Sequence, residues 1–351
     1  MVVKKGRTLR LSVVGLFVAV ASVYLLCLYG WAVFHHFFGD RWWWLFLLNA
    51  FAIYLFLPLP VVVVFAVLAR RYGLGSASGV AIVLWFYLYG ALFTPKFLPA
   101  QPTGRTLTVM TCNLLGFNTE TAATITALRA ADVDVIAMQE LNLPAAAAIQ
   151  AQLLDLYPYQ ILAPQRGVTG LGVISRYHLQ ETDWRLPGAW LGVPQVLTLD
   201  FAGTEILLVN FHSISVEFAG SEAYSQLEWS VQERERQARL LADFAKTKAS
   251  PVIVLGDFNT SDQSTAYAWI TTTLRDAWRE AGYGLGHTFP GAASPGSARP
   301  VIAGIPVPMW LIRIDYIFHS AQWQAVAAWL GPWNGQSDHR PVVAKLALRK
   351  G

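Results

Sequence analysis

The chain has 351 residues, of which 54% are hydrophobic and only 14% charged, and its formal net charge is +4. Soluble domains average about 25% charged residues, so this composition argues against a wholly soluble chain. The positive balance does not point to nucleic acid: residues 1–105 hold nine Lys and Arg against one acid, Asp40, and the remainder is net −4, without the basic surplus of a nucleic-acid binder.

No charged residue occurs from Leu11 to Phe34, from Trp42 to Ala69 or from Tyr72 to Pro95. Each stretch exceeds the roughly 20 residues that cross a bilayer, so three transmembrane helices are expected over residues 1–95. Pro58 and Pro60 kink or break the second, and a re-entrant hairpin there is the alternative. Lys4, Lys5, Arg7 and Arg10 precede the first stretch, and Arg70 and Arg71 separate the second from the third. Basic loops stay cytoplasmic, so the N-terminus is cytoplasmic and three crossings put everything after Pro95 outside. The first stretch lacks a small-residue cleavage site and is not read as a cleaved signal. Cys27 and Cys112, one in a membrane helix and one in a strand, are not expected to pair.

Residues 96–105 contain the Pro- and Gly-bearing linker FLPAQPTG, and a catalytic domain is expected over 106–351. Strands are predicted at 107–112, 133–138, 170–175, 195–201, 205–210, 252–255, 314–320 and 341–348, from apolar β-branched runs. Helices are predicted at 119–131, 144–156, 225–248 and 265–273. Hairpins mixed with crossover helices indicate α/β layers around mixed sheets.

Five polar motifs punctuate this pattern: Thr111-Cys112-Asn113, Met138-Gln139-Glu140, Asn210-Phe211-His212, Gly256-Asp257-Phe258-Asn259 and Ser337-Asp338-His339. Most end an apolar run, where a buried strand emerges from its sheet. Glu140 is a candidate metal ligand there, its plain alternative being an acid at a helix N-terminus. Asp257 and Asn259 are spaced by two and face one side of an extended segment, suited to orienting water and donating to a phosphate oxygen. The alternative is a simple Asx-turn. Asp338 and His339 suit metal and phosphate respectively. Asp315, in Arg313-Ile314-Asp315-Tyr316, suits fixing the tautomer of His339, unless it pairs with Arg313 instead. His212 alone would be an ordinary polar residue. His35, His36, His178, His287 and His319 have no comparable setting.

Taken together, these motifs resemble the endonuclease/exonuclease/phosphatase superfamily, over about Thr106 to Leu348. The resemblance implies a four-layer α/β sandwich of two mixed sheets flanked by helices, behind the three-helix anchor. It also implies a metal-dependent phosphoric ester hydrolase. Carried over by position, Glu140 is the principal metal ligand, helped by Asn113 and Asp338. Asp257 positions or deprotonates the attacking water and Asn259 contacts the phosphate. His212 and His339 stabilise the transition state, with Asp315 orienting His339. Magnesium is the implied ion, with manganese as the substitute, since the ligands are few hard oxygens that leave room for water and phosphate.

The membrane anchor is similar to a bacterial subgroup linked to teicoplanin resistance, as is Gly286-His287-Thr288-Phe289-Pro290 followed by the Arg313 motif. That similarity implies a lipid-linked phosphoester or pyrophosphate substrate, acted on at the outer face of a bacterial cell membrane. Two uncharged, Trp-bearing loops, 186–194 and 301–312, suit contact with the headgroup region; the alternative is that they pack on the protein. The competing functions are an extracytoplasmic nuclease or nucleotide phosphodiesterase, a phosphatase for small soluble esters, and a non-catalytic scaffold. Nucleic acid is the less favoured partner, and no obligate protein partner is evident.

Overall fold

A computed structural model describes residues 3–96, 104–215, 223–291, 301–302 and 304–349. The chain divides into two units, Met1–Thr94 and Pro95–Gly351.

The first unit is helical: α1 (Val3–Phe38), α2 (Trp43–Ala50), a 3-10 turn (Ala52–Phe56), α3 (Leu59–Leu68) and α4 (Tyr72–Phe93). Among the described residues, two helical segments are long and apolar enough to cross a membrane, Val13–Phe38 and Tyr72–Phe93. The second expected span is not one straight helix. It bends by 70° between Trp43–Ala50 and Ala52–Leu68, so it is either a broken span or a re-entrant loop. The bend falls at Phe51, ahead of Pro58 and Pro60, which stand at the start of α3, where a missing N–H breaks no helical bond. Asp40, the acid of this unit, is buried and bonded at 2.7 Å to the amide of Asn49, which also accepts from the Trp31 indole.

The second unit contains β1 (Thr106–Asn113), α5 (Thr121–Ala130), β2 (Val135–Gln139), α6 (Leu143–Gln152), β3 (Tyr159–Ala163), β4 (Leu171–Ser175), β5 (Leu179–Glu181), β6 (Gln195–Phe201), β7 (Thr204–His212) and α7 (Ala223–Lys246). It continues with β8 (Val252–Asp257), α8 (Thr265–Ile270), β9 (Arg275–Asp276), α9 (Ala277–Ala281), β10 (Val301–Ile302), β11 (Ile305–Pro306), β12 (Asp315–His319), β13 (Trp323–Leu330) and β14 (Val342–Leu348). Two six-stranded mixed sheets form, in the orders β13-β14-β1-β2-β4-β3 and β5-β6-β7-β8-β12-β9. The expected sandwich of two mixed sheets flanked by helices is therefore present. Sequence reasoning missed β3, β5, β9, α9 and the short β10 and β11, and also β13, whose Ala-rich run carries little strand propensity.

Side-chain alternation explains the layers. Met110, Cys112, Ile136 and Met138 pack in one core with Ile125 and Leu128 of α5 and Ile149 of α6. Val209, Phe211, Val252, Val254, Tyr316 and Phe318 pack in another with Leu241 of α7 and Ile270 of α8. The intervening residues therefore point between the sheets. They run Leu107, Val109, Thr111, Asn113 on β1; Val135, Ala137, Gln139 on β2; and Ile206, Leu208, Asn210, His212 on β7. On β8 they run Ile253, Leu255, Asp257, and on β12, in reverse, Ile317, Asp315. On β1, β2, β7 and β8 the column is apolar at one end and polar at the other, whereas that of β12 carries Asp315 at one end and His319 at the other.

Candidate active site

The polar ends of these columns converge. Register places Asn113 beside Gln139, His212 beside Asp257, and Asp257 opposite Asp315. Gly256 permits the close pairing of β7 and β8, since a Cβ there would sit 2.1 Å from the Phe211 carbonyl oxygen.

From the first sheet come Asn113, Glu140 and the segment before β14. Asn113 Nδ2 donates to Glu140 Oε1 at 2.9 Å and to Asp257 Oδ2 at 3.1 Å, joining the two sheets. Glu140 has φ +55°, a strained backbone for a residue with a side chain, of the kind that persists where surrounding contacts enforce it. One enforcing contact is the Gly116 N–H, 2.8 Å from Glu140 Oε2. Gly116 itself has no room for a Cβ, which would fall 1.9 Å from the Gly167 carbonyl oxygen. Glu140 is not a helix-capping acid: Asn142 caps α6. Ser337 donates to the Asn113 carbonyl at 2.7 Å and accepts from the His339 N–H, fixing the Ser337-Asp338-His339 turn.

From the second sheet come His212, Asp257, Asn259 and Asp315. Asp257 Oδ2 stands 3.4 Å from His212 Nε2 and 3.7 Å from His339 Nε2. Its other oxygen accepts from the Asn259 N–H at 2.9 Å. Asn259 has φ +49°, so Asp257 and Asn259 do not lie on an extended segment as their spacing suggests. They form an Asx-turn that holds the carboxylate, and Asn259 Nδ2 donates to the Ser213 carbonyl. Asp315 Oδ2 is bonded to His339 Nδ1 at 2.9 Å. Arg313 does not pair with it; this buried guanidinium binds Asp276 at 2.7 Å and Asp262 at 3.5 Å. Behind the dyad stand Thr288, whose hydroxyl accepts from the Ile314 N–H, and the Phe289 ring, 4.9 Å from that of His339. The resemblance pointed to this His287-containing stretch without assigning Thr288 or Phe289 a part.

Burial and mutual charge set the ionisation. Burial lifts the pKa of Glu140 above the usual carboxyl range, more than His212, Gly116 and Asn113 lower it. Asp257 resists burial, because His339 and His212 hold its pKa at about 2. Burial raises Asp315, against the pull of His339. Burial opposes charge on both histidines, yet Asp257 and Glu140 raise His212, and Asp315 and Asp257 raise His339 well above its ordinary value.

The donor set fits a cation. Three carboxylates, Glu140, Asp257 and Asp315, are at most 9% exposed, and Asp338 borders them 4.0 Å from His339 Nε2. Atoms of Asp257, Asp315 and His339 also lie within 4.8 Å of one another. Four acids against two imidazoles leave negative charge that a hard divalent ion would neutralise.

The two apolar loops differ from expectation in part. Leu186 and Trp190 pack against the core under the second sheet, and the Trp190 ring meets Phe211 edge-on. Val193, Val301, Ile305 and Met309 are exposed, as is Phe117 beside Gly116.

A sequence profile described as "Endonuclease/Exonuclease/phosphatase family" matches residues 110–339, which span all the site residues above. No curated protein matches the sequence. Among solved structures, truncated Caenorhabditis elegans TDP2 aligns at 18% identity and TM-score 0.52, over 69% of this chain and 98% of that one. D. rerio TDP2 complexed with single strand DNA product aligns at 19% identity and TM-score 0.52, over 69% and 98%. Sphingomyelinase C from Streptomyces griseocarneus aligns at 20% identity and TM-score 0.47, over 69% and 99%. At these identities the likeness to the two TDP2 structures speaks to fold alone, whereas the profile match covers more than half of the sequence and the whole site. The chain belongs to the endonuclease/exonuclease/phosphatase family, a group of metal-dependent phosphoesterases and nucleases.

Proposed function

We propose that this protein is a membrane-anchored, magnesium-dependent phosphoesterase that hydrolyses a lipid-linked phosphoester or pyrophosphate at the outer face of a bacterial cell membrane. The observation that carries the reading is the joining, in one chain, of this site to two apolar helices of membrane length. A tethered enzyme meets membrane-borne substrate at high local concentration. The net negative charge of residues 106–351 and the exposed Phe117, Val193, Ile305 and Met309 favour an amphiphile over nucleic acid. The outward placement follows from the basic residues at the N-terminus and at Arg70 and Arg71, provided that 42–69 makes one crossing.

In this mechanism Glu140 is the principal magnesium ligand, with Asn113 and Asp338 assisting. Bound magnesium supplies Lewis-acid polarisation of the phosphoryl group and offsets its developing charge. Asp257, anionic at neutral pH, orients the attacking water and accepts its proton as the bond to phosphorus forms and the bond from phosphorus to the leaving oxygen breaks, that oxygen taking a proton from solvent. His212 and His339, held toward the cationic form, donate to the phosphoryl oxygens. Asp315 keeps the proton on His339 Nδ1 and leaves Nε2 for the substrate side. Asn259 donates to a phosphate oxygen once its amide leaves the Ser213 carbonyl.

The test is magnesium-dependent turnover by full-length protein in detergent micelles, offered a polyprenyl pyrophosphate, a phospholipid and an oligonucleotide in parallel, with Asp257→Asn as control. Lipid turnover lost in the variant supports the reading. Cleavage of the oligonucleotide alone moves the protein to the nucleases, and no turnover places its substrate outside these classes.

A further inference from the structure

One buried group of amides takes no part in the mechanism above. Thr111 Oγ1 donates to Gln139 Oε1 at 3.1 Å. Gln139 Nε2 donates to Asn210 Oδ1 at 2.7 Å, from one sheet to the other. Asn210 Nδ2 donates to Gln195 Oε1 at 2.9 Å and faces the Gly172 and Met138 carbonyls of the first sheet at 3.1 and 3.2 Å, and Gln195 donates to the Ile161 carbonyl at 3.2 Å. Thr111, Gln139 and Asn210 have no solvent exposure. The chain crosses five strands, β1, β2, β7, β6 and β3.

Its position is one residue layer beneath the site. Asn113 is the next inward residue after Thr111, Glu140 follows Gln139, and His212 is the next inward residue after Asn210. The site itself is divided: Asn113, Glu140 and Asp338 belong to one sheet, and His212, Asp257 and Asp315 to the other. Apolar packing between sheets is non-directional and tolerates sliding. A hydrogen bond between buried amides does not, because a displaced donor has no water to turn to. Displacement of about 1 Å at reacting groups can cost 10²-fold in rate.

We infer that Gln139 and Asn210 are positioning residues: their bond fixes how far the second-sheet carboxylates Asp257 and Asp315 stand from an ion held by Glu140, Asn113 and Asp338 of the first sheet, and so how much their charge adds to its affinity. The inference rests on the metal-dependent part of the proposed function and not on its lipid substrate.

The experiment titrates Mn2+ alone into detergent-solubilised full-length protein by calorimetry, and records thermal unfolding of the same samples. The native protein comes first: absence of binding there contradicts the reading of the site itself. Gln139→Asn shortens one side of the bridge by a methylene, Asn210→Gln lengthens the other, and the double variant keeps the total span. Each folded single variant is expected to bind Mn2+ about 10-fold more weakly or worse, the usual cost of losing a residue that orients ligands. The double variant is expected to bind Mn2+ more tightly than either single variant, because it restores the span of the bridge, which a merely structural loss would not do. Native affinity in the folded single variants overturns the inference, as does a double variant that stays weak. Where a single variant fails to fold, the double variant decides by the same criterion.

Discussion

Asp315 Oδ2 lies 2.9 Å from His339 Nδ1, with both side chains buried and the Phe289 ring against the imidazole. An ionised carboxylate only accepts, so the bond places a proton on Nδ1 and stabilises the imidazolium. Asp315→Asn removes the charge and keeps the shape. It is expected to lower kcat by about 10²-fold or more with little change in KM. Asp315→Asn combined with His339→Ala should be no worse than His339→Ala alone, because the two act as one unit. Additive losses in steady-state kinetics would show that Asp315 acts elsewhere.

Glu140 makes a prediction of definite sign. Burial raises its pKa, so its ionised form is disfavoured in the folded, metal-free protein. That penalty is present above the folded pKa and fades as pH falls through it. In EDTA, the native protein should therefore gain thermal stability relative to Glu140→Gln between pH 8 and pH 4.5. Magnesium at pH 8 should raise the Tm of the native protein and leave that of the variant unchanged. An equal response of the two proteins would remove Glu140 from the metal ligands.

A second acid–imidazole pair, of a buried histidine and a half-buried carboxylate, sits at the far end of β12. His319 Nε2 lies 2.8 Å from Glu280 Oε2, on α9, about 13 Å along the strand from Asp315. Burial opposes ionisation of Glu280, but the hydrogen bond and charge of His319 outweigh it and its pKa falls below the usual value. Its stabilisation is present above the unfolded carboxyl range and is lost as pH falls through the folded pKa. Glu280→Gln should cost about 1–3 kcal/mol at pH 7, less under acid, and leave kcat unchanged. Unfolding curves and activity on the same preparation check this.

Phe117, Ile305 and Met309 are the exposed apolar residues most relevant to substrate presentation. Phe117 follows the glycine that holds Glu140, and Met309 precedes Trp310, whose ring closes on Gly291 beside Asp338. Phe117→Ser with Ile305→Ser should slow hydrolysis of a vesicle-borne lipid phosphoester about tenfold, the worth of ~1.4 kcal/mol of apolar burial. Hydrolysis of p-nitrophenyl phosphate by the same variant should be unchanged. Equal loss on both substrates would assign these residues to folding.

Much of this arrangement was legible because strands alternate. Asn113, His212, Asp257 and Asp315 each sit at the end of an apolar run, in step with its inward residues. The same step places Gln139 and Asn210 inward, a signal present in the motifs but not read as a role. What escaped was set by tertiary contact. Asp257 and Asn259 share a spacing of two, yet β8 ends at Asp257 and the chain turns there. Arg313 stands two residues from Asp315 and pairs across the sheet with Asp276 instead. Trp323–Leu330 forms a strand because β14 offers it an edge, against the weak propensity of its alanines. The second apolar segment does bend, but at Phe51, seven residues before Pro58, so the prolines did not mark the place.

The most direct test of the central claim is the rate of magnesium-dependent hydrolysis as a lipid phosphoester is diluted with detergent in mixed micelles at constant bulk concentration. A membrane-surface phosphoesterase follows the mole fraction of substrate in the micelle, so the rate should fall as detergent is added and vanish in Glu140→Gln. A rate that ignores surface dilution, or survives that substitution, would contradict the account.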